Sequence, residues 1–188
     1  GTLELANTSG FASATTIGNG ATVRLTNAAN QGMGAGATFT INSGGTLIHN
    51  GQTNNNDFIT LAGAVTVGGT TTINQTSIAN TTGTNKNLFL DGGLKGSGTL
   101  TINAANAGNA VVLRNNNSTF AGTIIVNGIA STTVNLGSGI AVGGTTTALQ
   151  TADITLNGTM ELLNQGLGWA GTASGAFAMG ALNGTGVM

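Results

Sequence analysis

Apolar and polar residues alternate along this chain in short bursts, about every eight residues, with Gly-Gly, Asn-Gly or Ser-Gly between them. A period of two marks half-buried strands, and these dipeptides form tight turns. The pattern predicts strands at Thr2–Leu5, Thr22–Leu25, Thr38–Ile41, Thr46–His49, Phe58–Leu61, Val65–Val67 and Thr71–Ile73. It continues with Asn87–Leu90, Thr99–Ile102, Val111–Arg114, Thr123–Val126, Thr133–Leu136, Asp153–Leu156 and Thr159–Leu162. The expected core is Phe58, Ile59, Leu61, Val65, Val67, Ile73, Leu88, Leu90, Leu100, Ile102, Ile124, Val126, Val134, Leu136, Ile154 and Leu156. Strict alternation cannot place Ile59 on one face with both neighbours, so one of Phe58, Ile59 and Leu61 should point outward.

Internal repeats choose among all-β architectures. VGGTTT occurs at Val67–Thr72 and again at Val142–Thr147, and the match extends to Leu61 with Leu136 and Gln75 with Gln150. GTLIHNG (Gly45–Gly51) matches GTIIVNG (Gly122–Gly128) at nearly the same offset. Such a period divides into coils of about 25 residues with three strands each, the arithmetic of a parallel β-solenoid. Stacked about 4.8 Å apart, seven or eight coils would form a column about 35–40 Å tall. A sandwich or barrel also accommodates many short strands but explains the repeat less well. Gly93–Leu100 (GLKGSGTL) matches Ala181–Met188 (ALNGTGVM), and Gly1–Leu3 matches Gly98–Leu100. Both ends therefore fall at one phase of the repeat, which points to a segment of a longer array or a subunit that stacks on its own copies.

The segment Asn115–Gly128, NNNSTFAGTIIVNG, is more specific. Through Asn117, Thr119, Phe120, Gly122, Ile124, Val126 and Asn127 it resembles the autotransporter-associated β-strand repeat, also called the passenger-associated transport repeat. Gly96–Ile102 (GSGTLTI) is similar to the usual lead-in, and Asn7–Gly20 is a weaker copy with Phe11 at the aromatic position. The resemblance implies a right-handed parallel β-helix in a large bacterial surface or secreted protein. Ala121-Gly122-Thr123 stands where the family has Gly-Gly-Thr, and no membrane barrel follows.

Composition agrees with an all-β chain. Of 188 residues 33 are Gly and none is Pro or Cys, with 39% apolar. Charged residues are 5%, and five acids against four bases leave a net charge of -1. Arg24, Lys86, Lys95 and Arg114 make no basic footprint, so nucleic acid and anionic membrane are not expected partners. Without cysteine there are no disulfides or thiolate metal sites.

The candidate chemistry is sparse. Glu4, Asp57, Asp91, Asp153 and Glu161 are scattered singly, whereas glycoside hydrolysis needs two carboxylates close together. They are expected in solvated or structural roles. His49 is the sole histidine, so a multi-His metal site is excluded, and a surface or satisfied histidine is expected. Gly-Gly at 44–45, 68–69, 92–93 and 143–144 lacks the aspartate of a calcium repeat and reads as turns. Trp169 and Phe177 are expected to fill core or a subunit contact. Sequons at Asn7, Asn74, Asn80, Asn116, Asn117, Asn157 and Asn183 follow from composition. Thr70–Thr72 and Thr145–Thr147 raise ice binding, which needs a regular Thr-x-Thr rank on every coil.

The expectation is a single β-solenoid segment over residues 1–188, with no catalytic, cofactor-binding or metal-binding residues and no cofactor. It is read as a structural or adhesive module of a bacterial cell-surface or secreted protein, and not an enzyme. Its partners are copies of itself stacked head to tail or further coils of its parent chain, with host or neighbouring-cell glycans and proteins as adhesion targets. A carbohydrate-active β-helix enzyme and an ice-binding solenoid are the alternatives.

Overall fold

A computed structural model describes the chain apart from residues 7–9, 28–30, 53–56, 78–85, 105, 107–108, 114–117, 129–138, 143–150, 162–180 and 186–188. The strands in chain order are β1 (Thr2–Ala6), β2 (Thr15–Ile17), β3 (Thr22–Asn27), β4 (Gln31–Met33), β5 (Phe39–Asn42) and β6 (Thr46–Gly51). They continue as β7 (Ile59–Leu61), β8 (Val65–Gln75), β9 (Leu88–Leu90), β10 (Leu94–Ala104) and β11 (Ala110–Leu113). The series ends with β12 (Thr123–Gly128), β13 (Gly139–Val142), β14 (Asp153–Leu156), β15 (Thr159–Glu161) and β16 (Leu182–Gly184). No helix occurs among the described residues.

Every described pairing is parallel, and the chain is a β-solenoid. One sheet runs in the order β1-β3-β6-β8-β10-β12-β14-β16, with β2 and β5 joining beside β8. The other runs β15-β13-β11-β9-β7-β4. The described residues show about four turns, fewer than the seven or eight coils expected. From β3 to β11 each turn carries a strand on both sheets. Beyond that, residues 129–138, 143–150 and 162–180 are not described.

The residue pattern explains the turns. In register, Leu3, Val23, Leu47, Ile73, Ile102, Val126 and Leu156 form one column facing inward. From Val23 onward it is buried, each side chain adding about 1.5–3 kcal/mol of apolar transfer. A parallel column between Thr71, Leu100, Ile124 and Ile154 is buried beside it. Ile59, Leu61, Leu88, Leu90, Val111 and Leu113 close the core from the opposite sheet.

Three strand segments per coil are present through β10, and β2, β4, β13, β16 and the first half of β10 form where no strand was expected. The separate strands expected at Val65–Val67 and Thr71–Ile73 merge into the 11-residue β8. Its first part pairs with β5 and its last part with β6. The bend lies at Gly69, and at Gly98 in β10, with φ of +111° and +112°. A side chain at Gly98 would strike the Gly69 carbonyl, and one at Gly122 the Gly98 carbonyl, so adjacent coils meet too closely there for anything but glycine.

The core list holds wherever it is described. Phe58 is the outward residue of its trio, while Ile59 and Leu61 are fully buried. Phe58 stacks edge-on against Phe89 with ring centroids 5.4 Å apart, beside Ala110 and Val112, in a small apolar cluster outside the second sheet. Val134 and Leu136 lie outside the described residues.

Register corrects the repeat alignment. Thr46 stacks under Thr72 and, through it, Thr101 and Ile125, so GTLIHNG and GTIIVNG are offset by two residues in space. Thr2 likewise belongs to the column of Thr101 rather than Thr99. An even slip keeps every side chain on its own face, so the sequences match although the rungs do not. Leu182 stands in the column of Leu100, not of Leu94. The second VGGTTT beyond Val142, and Gly186–Met188, lie outside the described residues.

Candidate functional site

Among the described residues most of the buried polar side chains gather in one cluster that spans adjacent coils. The inward column Leu25–His49–Gln75–Ala104 places an imidazole and an amide where the neighbouring coils carry apolar side chains. His49 Nδ1 lies 2.8 Å from Gln75 Oε1. The Gln75 amide is oriented by two acceptors, its Nε2 donating to the Lys86 carbonyl at 2.9 Å and the Ala110 carbonyl at 3.1 Å. His49 Nε2 faces Asn27 Oδ1 at 3.1 Å and the Asp57 carbonyl at 3.0 Å. Ser77 Oγ donates to Gln75 Oε1 at 3.1 Å and accepts from the Gly51 N–H at 2.8 Å. The Ser77 carbonyl in turn accepts from the Nδ2 groups of Asn106 and Asn109.

Burial holds the His49 imidazole down to a pKa of about 4 against an ordinary 6.5, outweighing its hydrogen bonds to Gln75 and Asp57. The ring is neutral at pH 7. It then carries one N–H, and Nδ1 also has the Ser77 hydroxyl 3.4 Å away.

Beside the ring lies a buried ion pair. Lys86 Nζ is 3.8 Å from Asp57 Oδ2, the two side chains being 1% and 0% exposed. The sequence treats Asp57 as an isolated acid and Lys86 as one of four scattered bases; stacking of adjacent coils brings them together. Glu4 and Arg24 also pair, at 3.7 Å, on the solvent face of β1 and β3. Among the described residues no three of His, Cys, Asp and Glu gather to hold a metal. His49 is a satisfied core histidine, not a surface one.

The outer face carries two ranks. Asn157 donates to Asn127 at 3.1 Å, Asn127 to Asn103 at 3.0 Å, and Asn103 to Asn74 at 2.9 Å, each side chain bonding the coil before it. Two of the sequon asparagines, Asn74 and Asn157, thus belong to a ladder whose amides point along the solenoid axis. Next to it Thr2, Thr22, Thr46, Thr72 and Thr101 stack on successive coils. Thr-x-Thr occurs outward at Thr38/Thr40, Thr70/Thr72 and Thr99/Thr101 among the described residues, not on every coil, and Thr71 points into the core.

In the NNNSTFAGTIIVNG segment, Phe120 is fully buried, and Thr119 and Ala121 donate to the carbonyls of Leu94 and Gly96. Ser118 Oγ accepts from the Leu94 N–H at 3.0 Å. The aromatic is therefore a core plug that continues the β2–β5–β8–β10 face past the end of regular strand. Asn115–Asn117, Arg114, Trp169 and Phe177 lie outside the described residues.

Comparison with protein-family models, with curated proteins and with solved structures finds no match to this chain.

Proposed function

We propose that this chain is a structural or adhesive solenoid module of a bacterial cell-surface or secreted protein, wound right-handed as parallel crossovers are, and stacking end on with further coils. The observation that carries the reading is at the two terminal rungs. Among the described residues Leu3 and Leu182 are the exposed large hydrophobics, at 52% and 40%, and both belong to core-facing columns that are buried one rung further in. A strand edge with its apolar column open favours another strand upon it. Solenoids usually carry polar capping repeats at such places. A net charge of -1 supplies little repulsion between copies. The next coil comes from a longer array or from an identical neighbour, and heterologous stacking of that kind extends as a fibre. The asparagine ladder, the glycine corners and the continuous core suit a repetitive column more than a single reactive cleft.

Sedimentation velocity on the 188-residue chain over a range of concentrations tests this. Head-to-tail association should appear and be weakened by Leu3→Lys. A wild-type chain that stays monomeric at high concentration overturns the stacking.

A second reading rests on the Thr2–Thr22–Thr46–Thr72–Thr101 rank, an uncharged, evenly spaced row of hydroxyls and methyls suited to ordering water at an ice surface. Thermal hysteresis from the wild type, lost in Thr46→Lys, would favour it; no hysteresis would end it.

A further inference from the structure

Asp57 and Lys86 stand two residues before Ile59 and Leu88, which pair across adjacent coils, so their side chains leave neighbouring rungs of one column. At 3.8 Å the ion pair is longer than the 2.7–2.9 Å usual for a charge-assisted hydrogen bond. Taking two charges out of water carries a desolvation cost for each ion. Yet both backbones are held. His49 Nε2 is 3.0 Å from the Asp57 carbonyl, and Gln75 Nε2 donates to the Lys86 carbonyl at 2.9 Å. One residue further on, Asn27 Nδ2 donates to the Phe58 carbonyl at 3.2 Å, and Asn87 Oδ1 accepts from the Ala110 N–H at 2.8 Å. An amine and a carboxyl group fixed side by side, with water excluded, are the conditions in which an intramolecular reaction has a high effective concentration.

We propose that Asp57 and Lys86 form a modification site, condensing to an intramolecular isopeptide bond that staples one coil to the next. A proton passes from the Nζ ammonium to the carboxylate, giving an amine and a carboxylic acid. The amine lone pair attacks Cγ, the C–OH bond breaks, and the hydroxyl leaves with a second Nζ proton as water. The third proton stays on the amide nitrogen, and nothing is oxidised or reduced. The product carries no charge, which removes the burden of two buried ions. It also supplies a covalent coil-to-coil link in a chain without cysteine. His49 and Gln75 act as positioning residues through the two carbonyls they bind.

Mass spectrometry of the full chain under denaturing conditions tests the bond. The wild type should weigh less than its sequence by one water. A tryptic digest should show no cleavage after Lys86 and a single peptide from Leu25 to Lys95, one water light and closed into a loop whose fragments place the link between Asp57 and Lys86. Asp57→Ala and Lys86→Arg should restore the full sequence mass, and Asp57→Asn should condense with loss of ammonia instead. Gln75→Leu, folded by circular dichroism, should lower the crosslinked fraction. A wild type at full mass with linear peptides across both residues overturns the proposal. So does a water loss that maps to Asp91-Gly92, where cyclisation to a succinimide has the same mass.

Discussion

His49 and Gln75 occupy one inward column on adjacent coils, with Nδ1 2.8 Å from Oε1, against a core that is mostly aliphatic. The pair ties the turn after β6 to the turn after β8, because Gln75 also holds the Lys86 and Ala110 carbonyls. Gln75→Leu keeps the volume but orphans two buried carbonyls and a ring nitrogen. The expected loss is about 3 kcal/mol, from the penalty of roughly 1–3 kcal/mol for each buried polar group left unpaired. The urea midpoint measures it, and a change below about 1 kcal/mol would show that the cluster rearranges at little cost.

Acid should destabilise the fold through His49. Its pKa is about 4 folded against 6.5 unfolded, so the unfolded chain takes up the proton first as pH falls. The contribution is complete above pH 6.5 and disappears progressively toward pH 4. At 1.36 kcal/mol per unit this amounts to about 3 kcal/mol. Unfolding free energies measured from pH 8 to 4 should show that slope, and His49→Gln should flatten it.

Asn103, like Asn127, makes two bonds in the ladder, donating to Asn74 and accepting from Asn127. Asn103→Ala should lower stability by about 1–2 kcal/mol, two partly buried hydrogen bonds at roughly 0.5–1.5 kcal/mol each. Asn157→Ala, at the exposed end of the row, should cost less. Equal effects by thermal unfolding would mean that the ladder is ornament on an already rigid sheet.

Thr71 sits in the inward column between Gly45 and Leu100, and its buried hydroxyl has no hydrogen-bond partner. Thr71→Val removes an unpaired polar group from an apolar site and should stabilise the fold by about 1 kcal/mol. A raised melting temperature would confirm it, and a lowered one would reveal a partner for the hydroxyl.

Strand positions and core faces were legible in the sequence because side chains alternate with a fixed period of two, whatever the partner strand. Ile59, Leu61, Ile73, Leu100, Ile102, Ile124 and Val126 were assigned to the interior on that basis, and Phe58 was one of the three candidates to face out. The parallel solenoid followed from the repeat, which stacked coils explain better than a sandwich or barrel does. Rung alignment did not follow. A two-residue slip leaves the hydrophobic pattern unchanged, so Thr123 looked equivalent to Thr46 although Ile125 shares its column.

The polar cluster was invisible for a different reason. Asp57 and Lys86 lie a full coil apart, and His49, eight residues before Asp57, belongs to a strand of the other sheet, so the alternation along one strand links none of them. Their meeting depends on how many residues each turn takes before the chain returns to the same column, which pairing across coils decides. Alternation along a strand is local chemistry and can be read from one sequence. The encounter of a lone acid, a lone base and a lone histidine inside the column is a property of the stack.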